Sequence, residues 1–192
     1  MIDAFIDTMP KAELHVHLEG TLEPDLSFAL AQKNGVELPH ATPEALLRAC
    51  DFDDLPSFLA VYYKGMEVLR DEGDFFELTW RYLLKARGGR TRRGDRIDPV
   101  FSARSVFVVQ DLTASYLRRM LELGMLVTVI FDDPAYFRGY MNENLHALYH
   151  EGGLTRQELV RLVHNAFTVA WIDGVRRRGY LERLQRHVDA SP

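Results

Sequence analysis

The sequence predicts a helix-rich α/β protein, on three observations. Lys11-Ala12-Glu13-Leu14-His15-Val16-His17-Leu18-Glu19-Gly20 reads as a short strand that ends in two histidines one residue apart. Met125–Phe131 is a continuous apolar run rich in β-branched residues, the character of a buried parallel strand. Elsewhere the patterning is helical over most of the chain.

The first strand carries the most chemistry. Successive side chains on a strand alternate faces, so His15 and His17 point the same way. Two imidazoles converging from one strand suit a divalent metal, and zinc takes neutral histidine nitrogen readily. A half-buried strand whose histidines bond to backbone groups would carry the same pattern.

Helices follow in order. Thr21-Leu22-Glu23-Pro24 opens one, with Pro24 in the first turn where its missing N–H costs little. Leu26 and Leu30 give its apolar stripe, and Asn34-Gly35 supplies a left-handed stop. A second starts at Thr42-Pro43 and runs to about Cys50. A third covers about Leu55 to Arg70. A fourth begins at Asp74, with Glu77 completing a capping-box-like pair. The aromatic residues of the third and fourth, Phe58, Tyr62, Tyr63, Phe75, Phe76 and Trp80, are expected to pack in a core.

The character then changes. From Lys85 to Arg104, seven basic residues face two acidic ones, a local +5 in a chain of net charge -5. With paired glycines, one proline and no regular period, this stretch reads as a linker or loop. Phosphate or RNA binding is the other use of such a run, but Phe101 is its one aromatic residue, and nucleic acid is not the expected partner. Val106–Val109 reads as a short strand, and a helix from about Leu112 to Leu123 stops at Gly124. Met125–Phe131 then ends in Asp132-Asp133-Pro134. Two adjacent carboxylates closing a buried strand need a cation or hydrogen bonds to offset their burial, although turn formation alone also accounts for Asp-Asp-Pro. Three helices complete the chain: Asn142 to His150, one capped by Thr155 and Glu158 that runs to about Thr168, and Ile172 to His187. His146 and His150 share a helix face. They are read as surface histidines near a helix C-terminus, with a shared metal as the alternative.

At 192 residues and 47% hydrophobic, the chain has the composition of one ordinary globular domain. Its net charge suggests neither a nucleic-acid footprint nor a membrane-surface patch. No run of about 18 apolar residues offers a transmembrane helix, and the N-terminal residues have no signal-peptide pattern. Cys50, the one cysteine, is expected to be a buried, inert thiol. The expected compartment is the cytoplasm.

The block KAELHVHLEGTLEPDLSFALAQKNGVELP resembles the opening of the adenosine/adenine deaminase family, as does DFDDLPSFLAVYYKGMEVLRDEGDFFELTWRYLLKAR. LRRMLELGMLVTVIFDDPAYFRGYMNENLHAL resembles that family's last barrel strand and the loop after it. The resemblance covers 9–86 and about 106–172, and is nearest to the microbial adenine deaminases. It implies an amidohydrolase-type (β/α)8 barrel and hydrolytic deamination of adenine or adenosine at C6. It also implies one Zn²⁺ held by His15, His17 and Asp132, with Asp133 on the purine ring and Glu19 and Gly20 beside the substrate.

The resemblance also implies a gap. A barrel of this kind takes about 250 residues. The family's third metal histidine, its His-Ala-Gly-Glu segment and its His-Gly segment have no counterpart here, so no catalytic acid or base is assigned. The expected architecture is therefore an incomplete TIM-type barrel, read as one truncated domain over 1–192. It keeps the first and last strands and their helices, in a block at 1–86 and another at 106–192 around a basic junction at 87–105 that is expected to be unrelated to the family. Weak zinc binding, poor or absent turnover, and self-association through exposed sheet edges are expected.

Overall fold

The computed structural model describes residues 2–88 and 114–191. Ten α-helices account for most of them: α1 (Ile2–Thr8), α2 (Pro24–Asn34), α3 (Pro43–Ala49), α4 (Leu55–Met66), α5 (Glu72–Gly88), α6 (Ala114–Glu122), α7 (Pro134–Phe137), α8 (Met141–His150), α9 (Arg156–Val169) and α10 (Gly174–Asp189). A 3-10 turn at Glu19–Thr21 leads into α2.

Short polar sequences set most helix starts. Thr42 caps α3 by accepting from the Ala45 N–H at 3.2 Å. Asp54 and Ser57 form a reciprocal box at α4, and Thr155 and Glu158 form the expected one at α9. Gly35 ends α2 at φ 63°, the left-handed position that glycine occupies without penalty. The box at α5 corrects the sequence reading. Asp71, not Asp74, leads the helix: its Oδ1 accepts from the Asp74 N–H at 3.0 Å, while Asp74 Oδ2 accepts from the Asp71 N–H at 3.2 Å. Asp74 is 1% exposed. It also accepts from Lys33 Nζ at 2.7 Å, Asn34 Nδ2 at 2.8 Å and the Arg70 N–H at 2.9 Å. Burial opposes its ionisation, but these donors outweigh burial and hold the carboxyl well below the usual range.

The largest apolar cluster joins the two ends of the chain. Phe5 and Ile6 of α1 pack with Leu145 and Leu148 of α8, with Leu159, Leu162, Val163, Ala166 and Phe167 of α9, and with Leu184 of α10. The sequence reading assigned no helix to 2–8, yet α1 is tied in closely. The Phe5 ring stacks on His187 at 4.7 Å, His187 Nε2 lies 2.9 Å from the Phe5 carbonyl, and the Arg156 guanidinium sits 4.1 Å over the same ring. A second cluster joins Leu22, Leu26, Leu30 and Ala31 to Val68 and Leu78. A third joins Cys50, Phe58 and Tyr62 to Ala135 and Tyr136.

Two expectations are corrected. The stretches at 11–17 and 125–131 run without helix, but neither forms a strand ladder; Glu13 and Ile130 are isolated bridge residues. A ladder needs a row of neighbours, and two short segments alone are marginal. The strand expected at 106–109 lies outside the described residues. The aromatic stretch also divides. Phe58 and Tyr62 are buried as expected, but Tyr63 is 60% exposed, Phe76 68% and Trp80 50%. Cys50 is a buried free thiol, as expected. No helix among the described residues is long and apolar enough to cross a membrane.

Candidate metal centre

The stretch that follows α1 meets the one that follows α6. The His17 N–H donates to the Asp132 carbonyl at 2.9 Å, which fixes the two extended stretches side by side at their C-terminal ends. Behind them, the Asn165 amide on α9 donates to the Val127 carbonyl at 2.8 Å, and Arg161 donates to the Leu121 carbonyl at 2.7 Å. The helix thus sets the height at which Asp132 emerges.

Four side chains converge there. His15 Nε2 lies 3.3 Å and His17 Nε2 3.8 Å from the same atom, Asp132 Oδ1. His17 presents its other ring nitrogen to Asp133 Oδ1 at 3.3 Å. The imidazole rings sit 5.3 Å apart and tilted by 55°. One donor atom from each of His15, His17 and Asp132 falls within 4.8 Å of the others, a grouping able to hold a metal ion. Both histidines are about half exposed, so the open side faces solvent.

The carboxylates are in an unusual state for turn residues. Asp132 Oδ1 and Asp133 Oδ1 are both buried; among the described residues no well-aligned donor meets Asp132 Oδ1, and Asp133 Oδ1 has the His17 ring as its polar neighbour. A buried oxygen without a partner carries a desolvation cost. Asp133 stands at the N-cap of α7, yet its side chain makes no capping bond. Turn formation therefore does not account for its carboxylate. Burial pushes the Asp133 carboxyl up to about 6; His17 pulls the other way and the Asp132 charge adds to the rise. Burial also raises Asp132, against the pull of His17 and His15.

Gly20 lies against this aspartate. A Cβ at Gly20 would fall 2.2 Å from Asp133 Oδ1 and 2.6 Å from its Cα, so no side chain fits. Glu19 opens the 3-10 turn, is half-buried, and adds its negative charge to the field at Asp133. All six residues singled out from the sequence, His15, His17, Glu19, Gly20, Asp132 and Asp133, therefore lie in one neighbourhood. The sequence reading missed the wall beside them. Tyr62 and Tyr136 pack ring to ring at 5.3 Å, and the Asp133 charge contributes to raising both phenols, though burial is the main cause. The signal in the sequence is the Tyr62-Tyr63 pair.

A cavity of about 230 Å³ opens elsewhere, lined by Lys11, Glu13, Tyr82, Phe131 and Tyr140 among others; none of the four converging residues lines it. Glu13 is buried there, with Oε2 accepting from Tyr82 Oη at 3.1 Å and Oε1 unpartnered. Burial raises its carboxyl well above the usual range.

The fold is similar to that of two solved amidohydrolase structures. The crystal structure of an adenine deaminase from Arthrobacter aurescens superposes with a TM-score of 0.76 at 22% identity, covering 95% of this chain and 100% of that one. A zinc-bound amidohydrolase from Burkhoderia ambifaria gives a TM-score of 0.57 at 15% identity, covering 98% and 94%.

The sequence narrows this further. The adenosine deaminase family model matches residues 10–94 and 96–187, and the chain belongs to that family. The break between the two matched stretches falls at Asp95, inside the basic junction. The adenine deaminase of Bordetella parapertussis is 60% identical over 83 residues, which is 43% of this chain and 26% of that protein. The adenine deaminase of Geotalea uraniireducens is 42% identical over 127 residues, 64% of this chain and 36% of the relative. The chain thus spans about a quarter of the length of the first of these relatives.

Proposed function

We propose that this chain is a zinc-binding member of the purine deaminase family that keeps the metal-holding end of an incomplete (β/α)8 barrel and has lost most of the deamination at C6 of adenine or adenosine. One observation carries the reading: Asp132 Oδ1 is buried, accepts no hydrogen bond, and faces ring nitrogens of both His15 and His17. Two imidazoles and a carboxylate suit Zn²⁺, with a fourth position left open. When bound, zinc supplies the activation of water that hydrolytic deamination requires.

The residues divide the work. His15, His17 and Asp132 hold the metal. Asp133, beside Gly20 and next to the metal-holding residues, is placed to hydrogen-bond the purine ring. Gly20 and Glu19 shape the edge where the substrate enters. The net reaction replaces the exocyclic C6 amine with oxygen from water and releases ammonia. What is lacking is the group that protonates the purine and the histidine that works beside the metal. Of the other histidines, His40 lies in the loop before α3, His146 and His150 face Asp3 and Asp7, His164 lies by Thr168, and His187 meets the Phe5 carbonyl. Each general acid or base contributes roughly 10²–10⁴-fold, so the loss of both leaves turnover far below that of a full-length relative. This supports the second reading, an inactive remnant that binds metal only. Exposed Met125 and Leu126, beside the stretch that lacks strand partners, support self-association.

The test is zinc titration of the purified chain, with ammonia release from adenine and adenosine measured on the same sample. One equivalent of zinc lost with His15→Ala/His17→Ala and little ammonia is the expected result. Rapid ammonia release abolished by His17→Ala would favour the intact enzyme, and zinc uptake indifferent to that substitution would overturn the metal site.

A further inference from the structure

A second cluster of metal-ligand side chains stands where α1 crosses α8. His146 and His150, one helical turn apart on α8, face Asp3 and Asp7, one turn apart on α1. His150 Nε2 lies 2.7 Å and His146 Nδ1 3.3 Å from the same oxygen, Asp3 Oδ1. The two imidazole planes are 13° from parallel, with centroids 6.0 Å apart. One donor from each of Asp3, His146 and His150 falls within 4.8 Å of the others.

A second carboxylate stands behind His146. The ring's Nε2 lies 2.9 Å from Asp7 Oδ1, and the Asn142 amide donates to that same oxygen at 3.3 Å. In the tautomer that donates from Nε2 to Asp7, Nδ1 presents its lone pair to the Asp3 carboxylate, 3.3 Å away. A divalent cation seated between Nδ1 and that carboxylate would satisfy both acceptors. A carboxylate behind a histidine is the usual support for a metal-bound imidazole, because it sets the tautomer and raises the ligand's basicity. Tetrahedral zinc with bonds of roughly 2.0–2.1 Å keeps its donors about 3.3 Å apart. The His146–Asp3 separation already matches that spacing, and the exposed His150 and Asp3 side chains can open to it.

We propose that Asp3, His146 and His150 form a second divalent-metal site, suited to Zn²⁺, with Asp7 as the positioning carboxylate behind His146. A bound ion fastens α1 to α8 and so braces the cluster that joins the chain's two ends. This site is separate from the one at His15, His17 and Asp132, and the proposal stands or falls without it.

The experiment titrates Zn²⁺, in the absence of other ligands, into the full chain carrying His15→Ala/His17→Ala. That variant is expected to bind one equivalent, to lose it when His150→Gln is added, and to bind roughly 10–100-fold more weakly when Asp7→Asn is added instead. No uptake by the double variant, or uptake unchanged by His150→Gln, overturns the proposal. The unmodified chain gives an independent reading. Co²⁺ should broaden the imidazole C–H resonances of His146 and His150, assigned by their disappearance in His146→Gln and His150→Gln. If they stay sharp while those of His15 and His17 broaden, the second site does not exist.

Discussion

Gly20 and Asp133 are in backbone contact: a Cβ on the glycine would lie 2.6 Å from the aspartate's Cα. Backbone cannot yield as the end of a flexible side chain can, so Gly20→Ala must push the Glu19–Thr21 turn away from α7. Overpacking of this kind costs typically about 1–3 kcal/mol. Urea unfolding should show that loss, and because Asp132 precedes the displaced residue, zinc affinity should fall with it. An unchanged midpoint would mean that the turn is free to shift.

Asn165 sets the height of the closing stretch. It is 4% exposed and donates to the Val127 carbonyl at 2.8 Å. Asn165→Ala removes the donor and leaves that carbonyl without it, at a cost of roughly 1–3 kcal/mol. Denaturant unfolding measures this. Asn165→Asp, of similar shape but without the amide donor, should be no better than alanine.

Acid should weaken the junction of α6 and α9. The Arg118 guanidinium, more than the Thr155 cap, holds the Glu158 carboxyl down to about 2, against the opposing effect of burial. A depressed carboxylate contributes stability that is fully present above its unfolded pKa, near 4.5, and is lost as pH falls toward 2. Glu158→Gln keeps a side chain that can still close the capping box but lacks the charge. Thermal melts should find the variant less stable at pH 7 and the gap closing between about pH 4.5 and pH 2. A gap independent of pH would assign the effect to the cap alone.

Leu123, Met125 and Leu126 are all more than half exposed, at the start of the stretch that carries Asp132. Light scattering coupled to size exclusion should show mass rising with protein concentration, and Leu126→Glu should suppress the rise. A chain that stays monomeric to high concentration would show that this surface is tolerated by water.

Cys50 caps α3 with its thiol buried against the Leu46 carbonyl at 3.4 Å, and burial pushes the thiol up to about 11. Alkylation at pH 8 should be slow in the folded chain and complete in denaturant. Rapid labelling of native protein would require local opening of the cluster around Phe58.

What could be read from the sequence was what neighbouring residues decide. Thr42, Gly35 and the Thr155–Glu158 pair placed helix ends because capping is local. The assignment failed at Asp71 and Asp74, where either acid could have led the helix. Lys33 and Asn34, some forty residues upstream, draw Asp74 inward. The apolar run at 125–131 has every property of a strand except neighbours to pair with, and pairing is not written in the run itself. The meeting of His15, His17 and Asp132 was legible through family resemblance alone, since no spacing rule connects residues more than a hundred positions apart. Gly20's contact with Asp133 and the unpartnered carboxylate oxygens belong to packing, which no local pattern encodes.

The docking of Phe5 and Ile6 against Leu184 and His187 has a consequence for how the chain matures. During synthesis α1 is made well before α9 and α10, and its apolar face waits for theirs. Contacts so distant in sequence close late. Unfolding of the last turns of α10 would therefore release α1, and with it the anchor upstream of His15.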